Sequence, residues 1–173
     1  MGTNVIIGHG DIASVLPDRP DLLFFASGVS NSSETRESEF LREIRLLRSY
    51  PNEHLVYFSS LCVFYSDTTY TKHKWVMETL IRKQWRRYTI LRLGNITWGA
   101  NPHTLINFLR ARRAAGLPLE IQDTWRYIVD QDEFLHWVNM IPLWPCEMNI
   151  PGRRMKIADI VREYVIGEPA YAY

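Results

Sequence analysis

The sequence predicts an α/β fold, a predominantly parallel sheet with helices on both faces. Short apolar runs of strand length, NVIIG (4–8), LLFFAS (22–27), HLVYFSS (54–60) and YTILRL (88–93), recur along the chain. Segments of helical pattern follow most of them, and that alternation builds parallel sheets covered on both sides. The 173 residues fit one domain, and 46% hydrophobic with 23% charged residues is the composition of a folded chain.

NVIIG reads as a buried strand that turns through HGD into a helical segment, IASVL, of about two turns. LLFFAS is a second buried strand, bounded by PDRPD and by the small polar stretch GVSNSSE. From Ser33 and Glu34 a charged amphipathic helix is expected to run to about Tyr50, with Phe40, Leu41, Ile44 and Leu47 as its apolar side and Pro51 as its stop. HLVYFSS is the third strand. The next helix spans about Tyr70 to Arg87, with Trp75, Met77, Leu80, Ile81 and Trp85 as packing residues. YTILRL is the fourth strand, and Pro102 opens a helix carrying Leu105, Ile106 and Leu109 on one side. PLEI after Gly116 and RYIV (126–129) read as short strands, and Asp132 can cap the helix EFLHWVNM by accepting free amide hydrogens. IPLWPCEMNIPG (141–152) reads as a rigid connection with a short strand near MNI, followed by a helix from about Lys156 to Val165.

The formal net charge of +1 gives no general attraction for nucleic acid. Basic clusters at 82–87, 110–113 and 153–154 follow or interrupt helical patterns and read as solvated faces, so no nucleic-acid partner is expected. The N-terminus lacks a signal-peptide pattern and no apolar run approaches the roughly 18 residues that cross a bilayer. No membrane partner and a cytoplasmic location are the expectation. Cys62 and Cys146 form no CxxC unit and read as buried thiols, and the five histidines have no metal-site spacing, so no metal is expected.

Two stretches carry possible chemistry. VIIGHGDIA sets Gly8, Gly10 and Ala13 after the first strand. Such residues permit a tight turn, leave room for a pyrophosphate and let a following helix pack closely, or they simply connect two elements. A dinucleotide site also expects an acid about 20 residues on to hold the adenosine ribose. Here the second strand ends in Ser27 and Gly28 instead. YTKHK (70–74) sets Tyr70 and Lys74 four residues apart, on one face of a helix. That spacing alone serves an acid/base pair, whose ammonium favours the phenolate, or two ordinary surface side chains.

Taken in order, the segments resemble the extended short-chain dehydrogenase/reductase family, especially its sugar-nucleotide epimerases and dehydratases. GHGDIAS resembles the family's glycine-rich turn, with Ala13 at the third glycine position and the first glycine displaced to Gly8. LLFFASG resembles the strand that ends beside the cofactor, and FSSLCVFY the catalytic-serine strand. YTKHK matches the tyrosine and lysine pattern, YTILRLGNITWG the segment after the next strand, and MNIPGRRMKIADIV the C-terminal strand-to-helix segment.

The resemblance implies a reduced Rossmann-like parallel sheet of about five strands, lacking the second and third strands of the usual fold, with helices on both faces. It further implies one domain over 1–173, with short substrate-side elements at about 117–155. The implied function is an NAD(P)-dependent epimerase, dehydratase or reductase of a nucleotide-linked sugar, with NAD or NADP as cofactor. The alternative is a noncatalytic protein that keeps the scaffold for nucleotide-sugar binding or assembly, because the ribose acid is missing and only about ten residues separate Ser60 from Tyr70. In the enzyme reading Tyr70 is the acid/base, Lys74 lowers its pKa and holds the nicotinamide ribose, and Ser60 bonds the reacting oxygen. Cofactor contacts fall to Gly8, His9, Gly10, Asp11, Ile12, Ala26, Ser27, Gly28 and Lys74, and substrate contacts to Asn31, Asn95 and Arg126. Ser30, Arg92, Trp98 and Trp125 are weaker candidates, each with a structural alternative. Homodimerisation is implied through the helices at 34–49 and 70–86, and the first strand is left as an exposed edge.

Overall fold

A computed structural model describes residues 6–51 and 54–168. In chain order its elements are β1 (Ile6–Ile7), β2 (Leu23–Phe25), α1 (Glu37–Leu47), β3 (Leu55–Ser60), α2 (Thr69–Gln84), β4 (Tyr88–Leu93), β5 (Asn95–Ile96) and α3 (Leu105–Ala114). There follow β6 (Trp125–Val129), α4 (Gln131–Asn139), β7 (Cys146–Ile150), β8 (Arg153–Lys156) and α5 (Ile157–Ile160), which continues as a π-helical turn, Val161–Ile166. Five strands pair in the order β1-β2-β3-β4-β7, all parallel, and β5-β6-β8 form a second, smaller sheet. The expected reduced Rossmann-like sheet is therefore present, with β1 at its edge among the described residues.

Alternation along the strands explains why both faces are covered. Leu23, Phe25, Leu55, Tyr57 and Ile90 point to one face, where Leu47 of α1 and Met77 and Ile81 of α2 pack with Trp85. Their neighbours Phe24, Val56, Phe58 and Leu91 point to the other, against Phe134 and Val138 of α4. Period-two side-chain direction thus turns near-continuous apolar runs into two cores. A third core joins the small sheet to α3 and the C-terminal helix through Ile106, Leu109, Ile128, Met155 and Ile160.

Several elements differ from expectation for local reasons. IASVL forms only a three-residue 3-10 turn, Ala13–Val15, because Pro17 follows at once. The Glu34 carboxylate accepts the amides of Thr35 and Arg36, which delays α1 to Glu37. Leu41 stays exposed while Glu43 is buried, the reverse of the expected apolar side. PLEI is not a strand. Asp130 is the N-cap of α4, without a side-chain cap bond, and Asp132 lies inside its first turn. The proline-rich stretch contains the full strand β7, and Arg153–Lys156 is a strand, not the start of a helix. Both cysteines are free and half-buried. Residues 4 and 5 of the expected first strand lie outside the described residues. No described helix is long and apolar enough to cross a membrane.

Gly8 has φ +124°, and a Cβ there would lie 2.4 Å from the Ala26 carbonyl oxygen, whereas one on Gly10 would meet nothing within 4 Å. Gly8→Ala is therefore expected to destabilise the protein by roughly 1–3 kcal/mol and Gly10→Ala by under about 1 kcal/mol, read from urea unfolding.

Candidate active site

The strands of the parallel sheet end together on one edge, the usual place for ligands in open α/β sheets. Ser60 is the last residue of β3 and the N-cap of a short 3-10 turn, Leu61–Phe64, its hydroxyl accepting the Cys62 amide at 3.3 Å. Beyond four intervening residues, α2 begins at a fixed point. Thr68 and Thr71 form a reciprocal capping box, with Thr71 N donating to Thr68 Oγ1 at 3.2 Å and Thr68 N to Thr71 Oγ1 at 2.9 Å. This sets the helical phase, so Tyr70 and Lys74 share the buried face, 7% and 2% exposed. They are not surface side chains.

Burial pushes the Tyr70 hydroxyl well above its ordinary pKa, with the Cys62 thiol and the Glu43 carboxylate adding to the rise, while the Ser60 hydroxyl pulls it down. Lys74 Nζ lies 5.6 Å from the Tyr70 ring centroid. Ser60, Tyr70 and Lys74 are thus gathered at one place.

The ammonium has a partner that sequence reading did not single out. Lys74 Nζ donates to Tyr57 Oη at 2.9 Å and to Glu43 Oε1 at 3.4 Å. Glu43, with no exposed surface, also accepts from Tyr57 Oη at 2.6 Å, the Val29 amide at 2.8 Å and His73 Nε2 at 2.8 Å. Burial opposes its ionisation, but the Lys74 charge and these donors outweigh that and hold the carboxyl well below its usual range. The signal was available: positions 40, 43, 44 and 47 make one helical stripe, and Glu43 lies inside it.

A second buried network lies one turn further along α2. Glu78 Oε1 accepts from Ser59 Oγ at 2.7 Å and Arg92 Nε at 2.9 Å, and its Oε2 from Arg92 Nη2 at 2.6 Å and Arg82 Nη2 at 2.9 Å. Glu147 on β7 pairs with both arginines, at 2.6 Å each. Arg92 therefore fixes structure, one of the two roles its position allowed.

On the cofactor side, the turn at Gly8 presses on the end of β2 at Ala26, and Ile12 packs partly into the sheet's core. His9 and Gly10 are exposed. Asp11 accepts the amides of Ala100 and Asn101, both at 3.0 Å, and the Trp98 indole donates to the Asp11 carbonyl at 3.0 Å. Ser27 O accepts from Arg42 at 3.2 Å. A Cβ on Gly28 would stand 2.8 Å from Glu43 Oε1 and 3.1 Å from Lys74 Nζ, so the β2 end lies directly on the buried ion pair. The substrate candidates are locally bonded. Asn31 accepts the Ser33 amide, Asn95 donates to Tyr127 O, and Arg126 donates to Thr124 Oγ1 and Trp125 O. Ser30 meets Asn101 at 3.2 Å. Trp98 packs on Phe134, and the exposed Trp125 lies under Arg154.

No family model and no curated protein matches the sequence. Solved structures do. WbmG from Bordetella bronchiseptica, in complex with NAD and UDP, superposes with a TM-score of 0.58 at 19% identity, over 83% of this chain and 57% of its own. UDP-glucuronic acid 4-epimerase from Bacillus cereus, with UDP-glucuronic acid and NAD, gives 0.62 at 17%, over 84% and 59%. dTDP-glucose 4,6-dehydratase from Bacillus anthracis, with NAD, gives 0.55 at 15%, over 76% and 52%. The fold is that of the sugar-nucleotide epimerases and dehydratases. The resemblance to the extended short-chain dehydrogenases/reductases holds at the level of fold, and this chain spans little more than half the length of these three structures.

Two tests follow from the charge networks. Arg92→Leu leaves Glu78 with half of its cationic partners and is expected to destabilise by roughly 3 kcal/mol, measured by chemical unfolding. The hydrogen bond from Arg82, opposed by burial and aided by Arg92, lowers the Glu147 carboxyl from 4.5 to about 2. A carboxyl lowered in the folded state stabilises above its unfolded value and loses that contribution as pH falls through the folded one. The unfolding midpoint should therefore drop between pH 4.5 and about 2, and Glu147→Gln should flatten that slope.

Proposed function

We propose that the protein is an NAD(P)-dependent epimerase, dehydratase or reductase of a nucleotide-linked sugar. The observation that carries this reading is the gathering of Ser60, Tyr70 and Lys74 at the end of β3, within the fold of enzymes solved with NAD and UDP or with NAD and UDP-glucuronic acid. Tyr70 is the acid/base: burial favours its phenol form, which suits the reducing direction, where a keto carbon takes a hydride and its oxygen takes the Tyr70 proton. The oxidising direction, in which a sugar hydroxyl gives up its proton as its carbon gives up a hydride, needs Tyr70 as phenolate to accept that proton. Ser60, at the end of β3, orients the reacting oxygen. A bound nicotinamide dinucleotide would accept and return the hydride. Lys74, together with the turn at Gly8, His9, Gly10, Asp11 and Ile12 and the strand end at Ala26, Ser27 and Gly28, would hold it, Gly10 having open space beside it. Asn31, Asn95 and Arg126 and the elements at about 117–155 form the substrate side of a single domain, which dimerises through α1 and α2.

A second reading, a noncatalytic protein that binds nucleotide sugars or serves assembly, is favoured by the phosphate side. The glycine turn leads into three residues of 3-10 helix, so little helix dipole faces a pyrophosphate.

Titration with NADH and NADPH separates the two. The enzyme reading expects binding, turnover of UDP- or dTDP-linked hexoses, and a loss of about 100-fold or more in kcat for Tyr70→Phe with cofactor affinity kept. Absence of binding up to about millimolar cofactor, some 4 kcal/mol of affinity, would sink it.

A further inference from the structure

Lys74 is held by more than its helix. Its ammonium donates to Tyr57 Oη, which in turn donates to Glu43, and it also donates to Glu43 directly. Two of its three N–H groups are thereby directed at the sheet and at α1. Glu43 in turn joins four parts of the chain: its own α1, the loop after β2 through Val29, β3 through Tyr57, and α2 through His73 and Lys74. The His73 ring stacks on Phe40 at 4.4 Å, which locks α1 to α2 beside the carboxylate. Gly28 closes the cluster from above, with no room for a side chain.

We propose that Glu43 is a positioning residue of the candidate site: it supplies the counter-charge of the buried Lys74 ammonium and fixes its reach. A buried ammonium stripped of its counter-charge swings toward solvent or gives up its proton, and either course alters what Lys74 can hold. The inference rests on the proposed function for its catalytic meaning, but the geometry of Lys74 can be read without turnover.

The test compares wild type with Glu43→Gln, with Glu43→Asp, which keeps the charge, and with Leu47→Ala, which loosens α1 away from the cluster. Acylation of the Lys74 amine is followed by peptide mass spectrometry at matched unfolding free energy. Glu43→Gln should raise the Lys74 acylation rate about tenfold or more over Leu47→Ala, and Glu43→Asp should restore most of the protection. Equal rates in Glu43→Gln and Leu47→Ala would overturn the proposal and leave Glu43 a structural residue only. Where wild type binds NADH, Glu43→Gln should also weaken that binding about tenfold, and unchanged affinity would overturn the proposal equally. Where wild type binds no cofactor, the enzyme reading fails and the acylation ratio alone decides the role of Glu43.

Discussion

Helix α2 lies on the parallel sheet with two charges buried on one face, Lys74 and Glu78, a single turn apart. Neither can be left unpaired in a dry interior, and much of the surrounding structure is arranged to meet them. Lys74 is met from α1 and β3, and Glu78 from β3 and β4, with Glu147 on β7 closing the second network. The pairs are of opposite polarity, so the helix has one rotation and one height at which both are satisfied. That constraint brings Tyr70 to the end of β3. A purely apolar face would tolerate sliding by part of a turn, which would carry the phenol away from Ser60.

What could be read from the sequence followed from how local its cause is. YTILRL forms the strand at the residues expected, because a run of apolar and β-branched side chains bounded by Arg87 and Gly94 has no competing pattern. Tyr70 and Lys74 fall on one face because the helix period requires it, and the threonine box only fixes the phase. Elements at the second sheet were harder to read. PLEI has strand composition but no partner strand among the described residues, while the charged Arg153–Lys156 segment is a strand because β6 pairs with it, antiparallel. Pairing across the chain overrides propensity in both cases. Glu43 and Glu78 were missed for a related reason: a carboxylate on an amphipathic helix reads as solvated until its partners, up to 31 residues away for Glu43, are known.

The two sheets divide the work. The large one supplies the rigid edge on which Ser60 stands, and its two cores come from alternating side chains. The small one is tied to it through the loop after β5 and through Gly94, whose Cβ position is closed by the backbone of Tyr127 and Pro151. The chain spans little more than half the length of its structural relatives, and its connection from β1 to β2 holds one short helical turn.

The Asp11 clamp carries a consequence for the order of assembly. Its carboxylate joins the first turn to amides 89 and 90 residues further along. Closing a loop of that length has an entropic cost that local contacts do not share, so such contacts form after the segments between them are in place. The strand β1, which among the described residues covers Ile6–Ile7 and pairs with β2 alone, is expected to dock last. Folding would then end at the glycine turn, and this end of the sheet would be complete only when the rest of the molecule is already native.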